Sequence, residues 1–171
     1  MTRRAPSTLV ISDANVLLDM DAGGLLEPMF RLGLRFAAPD VLIARELQRE
    51  EARLRDLGLR VLEVRSEGVK YMETLAADAA SRGVGRLDLF AVALCRQENG
   101  TLLTGDARLR VLAERESLEV HGTLWLVDTL IAARRIRAPR VRRSYAAMRE
   151  VGRRLPWDEV ERQIRKYERG Q

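Results

Sequence analysis

Short apolar runs that stop at a polar residue and give way to helical spacing recur along this chain, and each recurrence predicts a strand followed by a helix. In the first, Leu9, Val10 and Ile11 are interrupted by Ser12 and Asp13, and Val16, Leu17 and Leu18 resume in a helix with Asn15 in its first turn. Such a run suits a central strand of a parallel sheet, buried on both faces. Gly23 and Gly24 break the helix, a short helix spans residues 25–32, and Gly33 stops it ahead of a strand over residues 35–37. Pro39 and Asp40 start a helix over residues 40–57 with Ile43, Leu47 and Leu54 in its apolar stripe. Residues 60–64 alternate charged and apolar, as a strand near a sheet edge does, and Ser66 with Glu67 opens a helix over 67–81. Within a helix over 86–100, every residue from Leu87 to Cys95 except Asp88 is apolar, so it must be buried nearly all round. Thr101, Leu102 and Leu103 form another buried strand that runs into Thr104, Gly105 and Asp106, and a helix over 107–116 follows. A last strand is predicted over 118–120, then helices over 123–136, 139–152 and 156–169, the last two started by Pro139 and Pro156.

Alternation of this kind predicts an α/β fold, a mainly parallel central sheet flanked by helices. The chain has 171 residues, 46% of them hydrophobic, enough for one domain with a sizeable core. We divide it into a domain over 1–138 and a basic helical extension over 139–171, because the net charge of +5 is unevenly spread. Residues 132–171 hold 13 basic and 5 acidic residues, whereas the preceding part is net acidic. A solvated helical surface explains such a run, and so does a polyanion or acidic partner approaching the C-terminal part. No apolar run is long enough to span a membrane, and MTRRAPS is followed by too few apolar residues for a secretory signal, so a soluble, cytoplasmic protein is expected. The single cysteine, Cys95, lies at apolar helical spacing and reads as a buried thiol; the single histidine, His121, has no second zinc ligand and reads as a structural or surface residue near a strand end.

The candidate chemistry is carboxylate chemistry. Asp13 and Asp106 each stand at the carboxyl end of a strand, where ligands bind in open α/β sheets, although Asp13 on its own segment also reads as a helix cap. Asp88 heads a core helix, either as a first-turn acid at the rim or as part of a charged site. Glu46 lies at the margin of the 40–57 stripe, turned toward the sheet edge. Four acids gathered without histidine or cysteine repel one another and call for a hard cation; Mg²⁺ or Mn²⁺ takes oxygen ligands, keeps several waters and bridges to phosphates.

SDANVLLD at 12–19, ARELQ at 44–48, RLDLFAVALC at 86–95 and LLTGDARL at 102–109 resemble, in order and spacing, the PIN domain nucleases, and particularly the VapC-type toxins of toxin-antitoxin pairs. HGTLWLVDTL at 121–130 is similar to the segment after the last strand in a subgroup of these proteins. Leu109, where many members carry an aromatic residue, and the longer basic tail depart from the pattern. The resemblance implies the PIN-like three-layer fold and a Mg²⁺-dependent endoribonuclease held inactive by a cognate antitoxin, usually as a homodimer. Its acidic quartet corresponds to Asp13, Glu46, Asp88 and Asp106, as catalytic and metal-holding residues, with Asn15 and Thr104 as polar helpers near the metal that would hydrogen-bond its waters or the scissile phosphate of the substrate. Water would attack phosphorus in line, with no covalent intermediate. Arg140, Arg142 and Arg143 are the candidate RNA-binding residues of the tail. Two other classes stay open: a housekeeping RNA-processing nuclease of the same fold, and a non-catalytic RNA- or DNA-binding module acting through the tail, for instance as a helix-turn-helix reader.

Overall fold

Strands β1 (Leu9–Ser12), β2 (Arg35–Pro39), β3 (Arg60–Leu62), β4 (Thr101–Leu103) and β5 (Val120–His121) pair in parallel in the order β3-β2-β1-β4-β5. The computed structural model describes residues 8–170; the leading segment MTRRAPS, in which no secretory signal is read, lies outside the described residues. Strand residues alternate between the two faces, as the two-residue period of a strand requires. Val10, Phe36, Ala38 and Leu103 join one core cluster, and Leu9, Ile11, Ala37 and Leu102 join the other. A sheet buried on both sides needs mainly apolar residues along its central strands, which is why β1 is apolar up to Ser12 and β4 is apolar after Thr101.

Helices α1 (Ala14–Ala22), α2 (Leu26–Phe30), α3 (Asp40–Glu46) and α4 (Glu51–Leu57) pack on the first cluster; α5 (Ser66–Ala77), α6 (Arg86–Glu98) and α7 (Ala107–Arg115) pack on the second. The helix expected over 40–57 is therefore two. Gln48, Arg49 and Glu50 offer nothing apolar to bury, and the turn they form lets Leu47 and Leu54 both reach the cluster that holds Leu17 and Leu26. The helix expected over 67–81 stops at Ala77, because the Asp78 side chain accepts from the Ala80 N–H at 2.8 Å and starts a short 3-10 turn instead. Strand β5 begins two residues later than expected. Ser117 adopts a left-handed conformation and the Leu118 N–H returns to the Ala113 carbonyl at 3.0 Å, so Leu118 closes α7 and cannot pair in the sheet. The same device ends α8 (Thr123–Ala132) four residues early: Arg134 is left-handed and the Arg135 N–H bonds the Leu130 carbonyl at 2.8 Å.

Helices α9 (Ala138–Glu150) and α10 (Trp157–Arg169) are set apart by charge and not by packing. Val141, Tyr145 and Met148 of α9 and Val160 and Ile164 of α10 lie in the same cluster as Leu17, Met20, Leu126 and Leu130. The buried Tyr145 hydroxyl donates to Gln163 Oε1, and Gln163 Nε2 donates to the Leu124 carbonyl at 2.9 Å, stitching both helices to α8. Among the described residues no helix is long and apolar enough to cross a membrane. Cys95 is fully buried, and its environment pushes the thiol pKa far up by desolvation.

Candidate active site

Three helices begin at the carboxyl edge of the sheet, and each carries an aspartate at its start or in its first turn that accepts from a nearby backbone N–H. Asp13 caps α1, its Oδ1 accepting from the Val16 N–H at 2.8 Å. Asp106 caps α7 in the same way, accepting from the Leu109 N–H at 2.8 Å. Asp88, third in α6, turns back to accept from the Gly85 N–H. A β-carbon at Gly85 would lie 2.8 Å from Asp88 Oδ2, so glycine is what lets the carboxylate fold back there. The helix-cap reading and the site reading of these acids are thus one arrangement: the positive ends of three helices hold three carboxylates in place.

Because β1 and β4 are neighbours, Asp13 and Asp106 leave the sheet side by side. Thr104 joins them. Its buried hydroxyl donates to Asp13 Oδ2 at 2.6 Å and accepts from the Asp106 N–H at 3.0 Å, while the Asp13 N–H bonds the Leu103 carbonyl at 3.0 Å. Glu46 arrives from the other side as the exposed last residue of α3, which packs beside α6.

The four charges act on one another. Asp13, only 1% exposed, has its pKa pushed up to about 6, chiefly by burial, with the hydrogen bonds from Thr104 and Val16 opposing and the charges of Asp88 and Asp19 adding to the rise. Asp88 is likewise raised to about 6, first by burial and then by the charges of Glu46 and Asp106. Asp88 is therefore the acid through which all four sense one field. Among the described residues no three acids stand close enough to enclose an ion by themselves. The donor set is nevertheless all oxygen, without thiolate or imidazole, and fits a hard divalent cation that retains waters between itself and some of its carboxylates.

A family model described as PIN domain matches residues 9–169. The chain belongs to the PIN domain family. Membership places it in general terms among nucleases, hydrolases of phosphodiester bonds. No protein of curated function matches it at a significant level. Among solved structures it is similar to a chain of VapBC2 from Rickettsia felis bound to a DNA fragment from their promoter, at 15% identity and a TM-score of 0.49 over 67% of this chain and 98% of that one, a likeness too slight to add to the family assignment.

Beside the quartet, this PIN domain holds two further residues that its strand-end pattern does not announce. Asp19 lies one helical turn beyond Asn15 on α1 and is 3% exposed; it accepts from the Thr123 hydroxyl at 2.8 Å and from Arg153 Nε at 2.6 Å. Arg153, in the turn between α9 and α10, also donates to the Asn15 side chain at 3.0 Å and to its carbonyl at 3.2 Å. Spacing from Asn15 was the available signal for Asp19; nothing local distinguishes Arg153 from the other arginines of the tail. The exposed Asn15 thus sits near the acids with its side chain engaged by Arg153. Arg140, Arg142 and Arg143 are not brought to the acids. Arg140 donates to the Gly24 carbonyl at 2.7 Å, Arg142 makes a two-point pair with Glu168 at 2.7 and 3.1 Å, and Arg143 is exposed on the same helix. At the rise of an α-helix, Arg140 lies roughly 15 Å along α9 from the end that leads to Arg153.

Proposed function

We propose that this protein is an endoribonuclease dependent on Mg²⁺ or Mn²⁺, and that it acts as the toxin of a toxin-antitoxin pair. The observation that supports the reaction best is the bridge through Thr104, whose hydroxyl ties the Asp13 carboxylate to the Asp106 backbone N–H across two neighbouring strand ends, with Asp88 sensing Glu46 and Asp106 in the same field. Asp13, Asp88 and Asp106 would hold the divalent cation, and Glu46, exposed at the end of α3, would complete its shell or orient water. Bound there, the cation would neutralise the acids and the scissile phosphate and make water nucleophilic at neutral pH. Thr104, whose hydroxyl is held between the Asp13 carboxylate and the Asp106 N–H, keeps Asp13 oriented and its charge favoured, and acts on the phosphate through Asp13; Asn15, exposed beside it, lines the approach of the phosphate. Arg140, Arg142 and Arg143 extend the contact with the RNA backbone, away from the reacting bond. The toxin role, the cognate antitoxin and the homodimer rest on the four ordered motifs that resemble VapC-type toxins.

Purified protein with RNA and Mg²⁺ or Mn²⁺ is expected to cleave, and Asp13→Asn or Asp106→Asn to lower the rate by at least a hundredfold, since each keeps shape and removes a ligand charge. Cleavage that persists in EDTA and in both variants would sink the proposal. Growth arrest on expression, relieved by the product of an adjacent small reading frame, tests the toxin role.

A further inference from the structure

A second cavity adjoins the acidic edge. The first, of about 430 Å³, lies against Asp106 and is lined by Asn15, Asp19, Gly105, Arg153 and Arg154. The second, of about 580 Å³, shares Gly105, Ala107 and Arg154 with it and continues between the loop after β4, the start of α8 and the turn between α9 and α10. A strand of RNA lying across Asp106 therefore runs from one into the other.

The lining of the second cavity is that of a nucleotide subsite. His121 and Trp125 stack on one wall with ring centroids 4.2 Å apart and planes 10° from parallel, both half-buried, giving a rigid aromatic platform on which a base can stack whatever its identity. Two arginines reach the cavity and differ in commitment. Arg110 is spent on the Val120 carbonyl at 3.2 Å, the Thr104 carbonyl at 3.5 Å and Glu114 at 3.9 Å. Arg154 is exposed and makes no hydrogen bond or ion pair among the described residues. Its neighbour Arg153 pins the turn to Asp19 and Asn15, so a free guanidinium is presented at the junction of the two cavities on an anchored backbone. A guanidinium there matches a phosphate by two parallel hydrogen bonds. Glu159 on the far wall can only accept hydrogen bonds; it turns away a second phosphate and receives the N–H groups of a base edge.

We propose that this cavity binds the nucleotide next to the scissile bond, with its base on the His121–Trp125 platform and its phosphate on Arg154. The inference rests on the ribonuclease reading above for its substrate, and assigns Arg154, His121 and Trp125 to substrate positioning.

The test uses the full-length protein and a six-nucleotide RNA carrying 4-thiouridine at single positions, cross-linked in EDTA and mapped by mass spectrometry, with affinity measured in parallel. Adducts at His121 or Trp125 are expected from one position of the oligonucleotide. Arg154→Ala is expected to weaken binding about tenfold and reduce the salt dependence by roughly one contact, with Arg154→Lys recovering part of the loss. Because Arg154 is exposed, these variants leave the core intact, which thermal melting verifies. RNA that binds and is cleaved with Mg²⁺ while cross-linking only elsewhere, or that binds Arg154→Ala within twofold of wild type, overturns the subsite and leaves the nuclease standing. Adducts at the platform without cleavage under any divalent cation overturn the nuclease and leave the subsite. Absence of RNA binding overturns both.

Discussion

Asp88 sits where burial, Glu46 and Asp106 all oppose its charge and only the Gly85 N–H favours it. Its pKa and that of Asp13 are raised from 3.8 to about 6, so the folded protein binds these protons more tightly than the unfolded chain. The sign follows: without metal, the stability linked to each proton is full below about pH 4 and is lost as pH rises to about 6. For Asp13, which is almost fully buried, the loss is about 3 kcal/mol; for Asp88, partly open to solvent, about 1–2 kcal/mol. Asp88→Asn is accordingly expected to raise the melting midpoint at pH 7 in EDTA by about 3–6 °C, and to remove most of the further rise that Mg²⁺ gives wild type. Melts of both proteins, with EDTA and with excess Mg²⁺, decide it; a lower midpoint for the variant in EDTA would make Asp88 a structural cap. Asp13 was legible in the sequence because strand end, acid and helix start are consecutive along the chain, and Asp88 because it is the one charged residue at the head of an otherwise apolar helix. Asp19 and Arg153 were not, since the pair spans 134 positions and exists only once α9 has packed on α1.

At the scale of elements, that pair decides where the turn between α9 and α10 lies. Asp19 is 4% exposed at its side chain and Arg153 22%, so removal of the arginine leaves a carboxylate nearly sealed from water with only Thr123 as partner. Arg153→Ala is expected to cost about 2–4 kcal/mol in urea unfolding, and Asp19→Asn less, because the amide still accepts from Thr123. In the double variant the Arg153→Ala loss should shrink by more than 1 kcal/mol, the signature of direct coupling. Additive losses would mean that the two residues stabilise the fold separately. Elements whose ends rest on local chemistry, such as β1 with its following acid, were placed correctly from sequence. The errors fall where a local cap outcompetes periodicity, by a side chain at Asp78 and by left-handed backbone at Ser117 and Arg134, or where the two halves of one stripe must turn to reach a common core, as at residues 47–50.

Across the whole molecule, charge and packing draw different boundaries. The +8 of residues 132–171 marks them as a unit in the sequence, yet their apolar face completes the core on one side of the sheet. Five core side chains of α9 and α10, Val141, Tyr145, Met148, Val160 and Ile164, are at most 4% exposed. At about 2 kcal/mol for each such side chain, they contribute on the order of 10 kcal/mol, comparable to the net stability of a domain. A chain ending at Ala138 is therefore expected to be unfolded or aggregated, as read by circular dichroism and size-exclusion chromatography, and says nothing about RNA. The RNA contribution of the tail has to be read from surface charge alone. Replacing Arg140, Arg142 and Arg143 together by Ala keeps every buried residue of α9 and leaves the acids untouched. If all three contact phosphates of a single strand, the slope of log affinity against log salt should fall by about 2, at roughly 0.7 per contact. The two-point pair of Arg142 with Glu168 makes a smaller drop the expected result, since that guanidinium must first leave its carboxylate. An unchanged slope in a variant that melts like wild type would remove these three arginines from the RNA surface and leave their face of α9 to a protein partner.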